Sequence, residues 1–537
     1  MQPRARWSAI MGKNTRQTAA LVGLLAACSS GSASLVGAPP PAGITLDSAG
    51  GSLRIDWDPV ADALYYRIYF STTPGIDPDI DSSVVRLSGP YVIPSVTGTY
   101  HMAIATADEQ GEGSLSGVMS VEVATGSPEK YFPTWALVAP TNVISFDYDG
   151  GISSSQNASN LQSLINSLQP GDKVEIGSGT YSSNSAFTLN PVGTEEAPIW
   201  IVAKEGANPI ITRSDNSQNT LNLGVGGAAR YVCLRGLEVT GGDIAVRIND
   251  CENVWMDQCE IHHCAQNAIA ANTLPTAYLY FTRNEVHSTS GTGEGFYIGG
   301  NFSSPVANNV VIALNHVHDT AGSQGDGIEI KQGSWGCWVA ENTVHDTNYP
   351  CILVYGTDGN PPNLIERNVC WNSGDNVMQI QGEAIVRNNV AMNGLNAFLS
   401  SDHQGTSRDL VLVHNTFINS GNAVALTSWN GRSGMQFANN AVYSQFGNAL
   451  IFSGGSSGVE ISGNVVFGPV SGAGSGFTNG AGLLDFINVS WNASTRDVTP
   501  SAMGALDGAA DPAYAALDEL DGDLRVPPYD AGAAETP

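Results

Sequence analysis

Three kinds of hydrophobic pattern follow one another along the chain. Between residues 40 and 125, apolar and polar positions alternate. Trp57, Tyr66, Ile68 and Phe70 stand out in LRIDWDPVADALYYRIYFS, and Tyr100, Met102 and Ile104 in TYHMAIATADEQGEGSLS. A period of two predicts the half-buried strands of a small all-β unit. The spacing then changes. Leu161, Leu164, Ile165 and Leu168 share one helical face, with Asn157 or Ser159 as the expected N-cap and Pro170-Gly171 as the stop. From about residue 231 a third pattern takes over, in which short apolar strands recur between polar turns.

This last pattern is a repeat of the form apolar strand, Asn, x, Val, x, turn, Gly, apolar strand. VVIALNHVHDTAGSQGDGIEIK, CWVAENTVHDTNYPCILVYG and LVLVHNTFINSGNAVALTSW are examples. Its Asn falls at positions 284, 315, 342, 368, 389, 415, 440 and 464, and Leu237 and Cys259 hold the same place in two earlier units. Successive gaps of 31, 27, 26, 21, 26, 25 and 24 residues each suit one solenoid coil of about three short strands. Coils stacked at strand separation, roughly 4.8 Å, bring equivalent residues into columns. An Asn column is expected to take the left-handed bend between strands and to link its amides from coil to coil.

This repeat resembles the right-handed parallel β-helix of the pectate lyase-like superfamily. PGDKVEIGSGTY and GTEEAPIWIVAKEGANPIIT resemble the entry segment of the alginate lyase/chondroitinase B group, in which a helix caps the core. LDGDLRVPPYDAGAAE, residues 520–535, resembles a closing tail common in such proteins. The resemblance implies an all-β solenoid of nine to ten or more coils over residues 141–537. Upstream, the Trp57 and Tyr66 pair with Tyr100, Gly111 and Gly113 resembles a fibronectin type III module, a small sandwich spanning 40–125 and serving as a spacer or weak binding module. Segments 29–39 and 126–140 read as linkers.

Composition narrows the function. With 22 basic against 50 acidic residues, the net charge of −28 excludes nucleic-acid binding and anionic-membrane binding through basic patches. At the N-terminus, Arg4, Arg6, Lys13 and Arg16 precede the apolar run AALVGLLAAC, too short for a permanent membrane span. Its LAAC end resembles a bacterial lipoprotein signal over residues 1–28. That implies a lipid on Cys28, export, and anchoring to a membrane or an extracellular location. Seven further cysteines fit no zinc spacing and are expected as buried thiols or one or two local disulfides.

In this fold the strand after the Gly turn lines the substrate groove. Aligning those strands sends Phe296, Ile298, Ile328, Ile330, Ile352, Val354, Met378 and Ile380 inward. One outward column then contains Tyr297, Glu329, Leu353 and Gln379, and the next contains Lys331, Tyr355 and Gln381. Glu294 and Asp326 hold equivalent positions one coil apart, and the turns add Trp335, Asp402, His403, Trp429 and Arg432. Aromatic rings beside amides and carboxylates suit a sugar chain. Tyr297, Gln379, Gln381, Trp335, Trp429 and Arg432 are therefore the expected polysaccharide-binding residues. Glu294, Asp326 and Glu329 offer the oxygen ligands that calcium takes.

Two chemistries fit. In a β-elimination lyase on uronic-acid glycans, favoured by the family resemblance, Lys331 is the expected base, its pKa lowered by burial and by the metal. Glu329, Tyr355 and His403 stand beside it, Tyr355 or His403 as reserve acid/base. In a hydrolase or epimerase, two of the three carboxylates act as a pair. A non-catalytic carbohydrate-binding or adhesion protein is the alternative. The basic partner and denser acidic cluster of the related lyases have no obvious match. Asp257, in NVWMDQCEI, is expected to be structural. The aligned His262, His287, His318 and His345, continued by Trp371, read as a stacked solvated face, favoured over a metal ladder because equivalent residues recur whenever coils repeat. The protein is expected to be a monomer.

Overall fold

The structure is a computed structural model. It describes residues 38–536 except 48–52, 62, 79–80, 87–90, 94–97, 109–110, 124–127 and 184. The lipoprotein-signal expectation and Cys28 lie outside the described residues. Contacts divide the chain into two compact units, Met1–Thr125 and Gly126–Pro537. No helix among the described residues is long and apolar enough to cross a membrane.

The described residues of the first unit form two antiparallel sheets. Thr45–Asp47, Leu53–Asp56 and Tyr91–Ile93 form one. Tyr65–Ser71, Ser82–Arg86, Gly98–Asp108, Gly111–Leu115 and Met119–Val123 form the other. Trp57 is buried, with its ring 5.3 Å from that of Tyr66.

The second unit is a parallel solenoid whose coils contribute a strand to each of three sheets, of 14, 13 and 12 strands. That makes about twelve coils. One coil shows the plan: Val311–Ala313 in the first sheet, His316–Thr320 in the second and Ile328–Ile330 in the third. The eight inward residues named above are all fully buried in a continuous core. Their rows pair directly, Phe296 with Ile328, Ile328 with Ile352, and Ile352 with Met378.

The Asn column is a hydrogen-bonded ladder. From Asn315 on, each Asn Oδ1 accepts from both the backbone N–H and the side-chain amide of the Asn one coil before, while that of Asn284 accepts from Cys259 N. For Asn315 these two bonds come from Asn284 at 2.9 Å each. The pattern runs to Asn464, whose Nδ2 closes on the Gly476 carbonyl. One expectation needs correcting: the left-handed bend is not made by these residues. It falls one position earlier, at Arg283, Leu314, Glu341, Arg367, Asn388, His414, Asn439 and Gly463, all at φ between 52° and 64°. The ladder Asn is kept for its amide, which must satisfy backbone groups buried at the corner.

The open end of the core is covered by a helix, Ser154–Ile165, packing Ala158, Leu161 and Ile165 inward. Its N-cap is Ser153, whose Oγ accepts from Gln156 N at 3.1 Å, rather than Asn157 or Ser159. Asn157 instead turns back to bond the backbone of Asp149. At the other end of the chain, Ala531, Ala533 and Ala534 pack on Val390, Ile418 and Ala441 of the second sheet. Arg525, wholly buried, ties this tail down with bonds to Asn388 Oδ1 and the carbonyls of Asp518, Gly532 and Ala533. All seven cysteines after Cys28 are buried free thiols.

Candidate functional site

The third sheet stacks short strands in strict register. Tyr297 pairs with Glu329, Glu329 with Leu353, Leu353 with Gln379, and Gln379 with Leu399. The turn before this sheet places Glu294 and Asp326 in successive coils, where Gly295 N bonds Asp326 O at 2.8 Å. A carboxylate from each turn and one from the strand thus converge. Oxygens of Glu294, Asp326 and Glu329 all lie within 4.8 Å of one another.

All three carboxylates are at most 2% exposed. Glu294 accepts a bond from Asn267 Nδ2, and Glu329 pairs with the Lys331 ammonium. Asp326 Oδ1 and Glu329 Oε2, by contrast, are buried without a hydrogen-bond partner. Ionised, the four groups would carry three negative charges against one positive. Burial therefore raises the Glu294 carboxyl above its ordinary range. Burial and the charges of Glu329 and Glu294 hold Asp326 well above its own. Glu329 is pushed up to about 7, because burial outweighs the attraction of Lys331. The cluster resists holding three bare charges in so small a volume. Hard oxygen donors with unfilled lone pairs are the donor set of a calcium site, so the residues present fit that ion.

Lys331 departs from expectation. Burial alone would lower its pKa, but the charge and hydrogen bond of Glu329 outweigh that effect and raise it. It is an ammonium, not a ready base. Its Nζ lies between two rings, 4.6 Å from the Tyr297 centroid and 5.3 Å from that of Tyr355. Tyr355 in turn stacks on His403 at 5.1 Å. Burial raises the Tyr355 phenol, which stays protonated. Of this stack, Lys331 and Tyr355 are buried, Tyr297 is half-buried and His403 is exposed.

The outward columns are thus less open than alternation implied. The turn after the Phe398–Ser400 strand folds over Lys331's neighbours, and Gly405 N bonds Gln381 Oε1 at 3.3 Å. A Cβ on Gly405 would come within 2.7 Å of Gln332 Nε2, so the turn lies close against the amide ends of Gln332 and Gln381. Gln381 and Gln332 are bonded at 3.2 Å, and Gln332 continues to Asp358. Gln379 remains half-buried and accepts from Asn376 at 3.0 Å. Arg432 reaches the His403 turn through Asp402, at 2.8 Å. Trp335, half-buried, pairs through its backbone with Asn308.

Trp429 needs correction. It is fully buried in the core, its Nε1 bonded to Ser400 Oγ at 2.9 Å, and cannot meet a ligand. Alternation placed it in a turn, but the coil turns inward there. Asp257 is structural as expected, buried between Arg235 and Arg283. Two site residues escaped the sequence analysis. Asn267 occupies the coil position of Glu294 and was legible by alignment, because Ala268 N bonds Glu294 O. Gln332 follows Lys331 directly, but only the fold shows it meeting Gln381 from two coils on.

Comparison with known proteins bears on the fold. Residues 201–369 match the family described as "Right handed beta helix region". A search of curated proteins finds no match. Among solved structures, pectate lyase Pel9A is 14% identical, with a TM-score of 0.39, covering 74% of this chain and 98% of its own. Alginate lyase from Paenibacillus sp. str. FPU-7 is 16% identical, with a TM-score of 0.34, covering 63% and 98%. The PL6 family alginate lyase AlyGC is 12% identical, with a TM-score of 0.36, covering 63% and 53%. The family match and the strand register together make the second unit an all-β, right-handed parallel β-solenoid.

Proposed function

We propose that this chain acts on a uronic-acid polysaccharide by β-elimination at the third sheet. The observation that carries this is the buried carboxylate trio with two unpartnered oxygens, set beside a lysine held between two tyrosine rings. Glu294, Asp326 and Glu329 would hold calcium, which supplies stabilisation of negative charge on a uronate carboxylate. Tyr297 offers an apolar face to a sugar ring, and Gln379 offers an amide to its hydroxyls. His403, exposed and stacked on the Tyr355 ring, is the solvent-facing member of this group.

In the elimination, the proton on the carbon α to the carboxylate leaves and its electrons form the new double bond. The glycosidic C–O bond then breaks, and the leaving oxygen takes up a proton. Tyr355, held neutral, suits that last transfer. Lys331 removes the first proton only in its uncharged form, so the rate should climb with pH into and beyond the ordinary lysine range. A hydrolase or epimerase using two of the three carboxylates as a pair is the further alternative.

Non-catalytic glycan binding is the second reading, and the charged, ion-paired state of Lys331 favours it. A panel of uronate polymers separates the two, assayed for the ultraviolet absorbance of unsaturated uronate. Product formed by the wild type and lost in Lys331→Ala supports the lyase. Binding without product supports the second reading, and neither product nor binding removes both. Export with a lipid on Cys28 belongs to the same proposal, and loss of fatty-acid labelling in Cys28→Ser tests it.

A further inference from the structure

The second sheet carries another set of ionisable side chains. In register, Glu238, Glu260, Glu285 and His316 form one column. Two residues along, His262, His287, His318 and His345 form the next. The residues between them, Ile261, Val286, Val317 and Val344, are buried in the core, so both columns face outward. The imidazoles stack almost parallel, with centroids 5.0, 4.9 and 5.3 Å apart.

Stacking explains the parallel rings, but the columns also converge sideways. Glu260 Oε1 lies 3.2 Å from His287 Nε2 and 3.7 Å from His262 Nε2. One coil on, Glu285 Oε1 lies 3.2 Å from His318 Nε2 and 3.7 Å from His316 Nδ1. Within each group the three donor atoms are no more than 4.8 Å apart. Ligands about 2.0–2.1 Å from a tetrahedral zinc stand roughly 3.3–3.4 Å from each other, a spacing the carboxylate–imidazole contacts bracket, while the two imidazole nitrogens of each group need only be drawn together from at most 4.8 Å. The glutamates are 45% and 49% exposed, so an ion can enter and water can complete its shell. Two imidazoles and one carboxylate suit zinc or copper rather than calcium.

We propose that this face binds divalent transition metal at two sites, one on Glu260, His262 and His287, the other on Glu285, His316 and His318. The sites are independent of the third-sheet carboxylates, which carry no imidazole. The test is calorimetric titration of the full chain with zinc at neutral pH, with copper used for electron paramagnetic resonance. Two zinc equivalents should depend on this face. His287→Asn and His318→Asn should each lose one and the double variant both, while Asp326→Asn keeps them. Copper should show coupling to imidazole nitrogen, lost in the double variant. Should that variant fail to fold by circular dichroism, Glu260→Gln with Glu285→Gln gives the same test. Unchanged zinc stoichiometry in the double variant, or a copper spectrum without nitrogen coupling, overturns the proposal.

Discussion

Replacing Asp326 with Asn tests whether the carboxylate trio is an ion site or a structural cluster. Two unit charges no more than 4.8 Å apart at an effective dielectric of about 20 repel by at least 332/(20 × 4.8), or about 3.5 kcal/mol. Lys331 compensates one charge, so Asp326 is the costly addition. Its raised pKa, and those of Glu294 and Glu329, mean that the folded state favours the protonated forms. That contribution is fully present below the ordinary carboxyl range. It is lost as pH rises through the folded values, about 7 for Glu329. Without calcium, wild-type stability should therefore fall as pH rises from the ordinary carboxyl range through about 7. Asp326→Asn keeps the shape and removes the charge. In chelator at pH 8 it should gain about 2–3 kcal/mol, or some 2–4 °C for a unit of this size. Calcium at roughly 100 times its Kd should stabilise the wild type by about 2.7 kcal/mol and the variant far less. Differential scanning fluorimetry across pH, with calcium or chelator, reads all of this. A variant less stable than wild type in chelator at pH 8, together with a wild type indifferent to calcium, would refute the reasoning.

Four other variants have outcomes set by the structure. Asn389→Ala removes three donated and two accepted side-chain bonds and orphans the buried Asn368 N–H. It should cost about 3–6 kcal/mol in a denaturant titration. Arg525→Met leaves Glu535 and several carbonyls without their partner, and should cost about 3–5 kcal/mol and expose the tail to protease. Trp429→Phe loses the bond to Ser400 and leaves a small void beside Phe452. It should cost about 1–2 kcal/mol and leave glycan affinity unchanged, whereas Tyr297→Ala should weaken that affinity about tenfold in affinity electrophoresis.

Repetition made much of the site legible. Once the Asn positions are aligned, the pairings of Tyr297 with Glu329 and of Glu329 with Leu353 follow by counting. The nearness of Glu294 to Asp326 follows too, and Asn267 was available on the same grounds. Counting fails where the coil departs from its period. The turn holding His403 and Gly405 folds back over Tyr355 and Gln381, and Trp429 turns into the core. Neither event leaves a mark in local alternation.

The sequence by itself determined the solenoid and its columns, because a short hydrophobic period repeated at coil length can bury its apolar residues only by stacking. It also determined which ionisable groups share a face. Tertiary structure alone decided their state. Whether Lys331 is a base or an ammonium, and whether a carboxylate keeps its proton, depends on desolvation and on charges a few ångströms away. Those distances are set by turns from different coils, and no stretch of the chain encodes them locally.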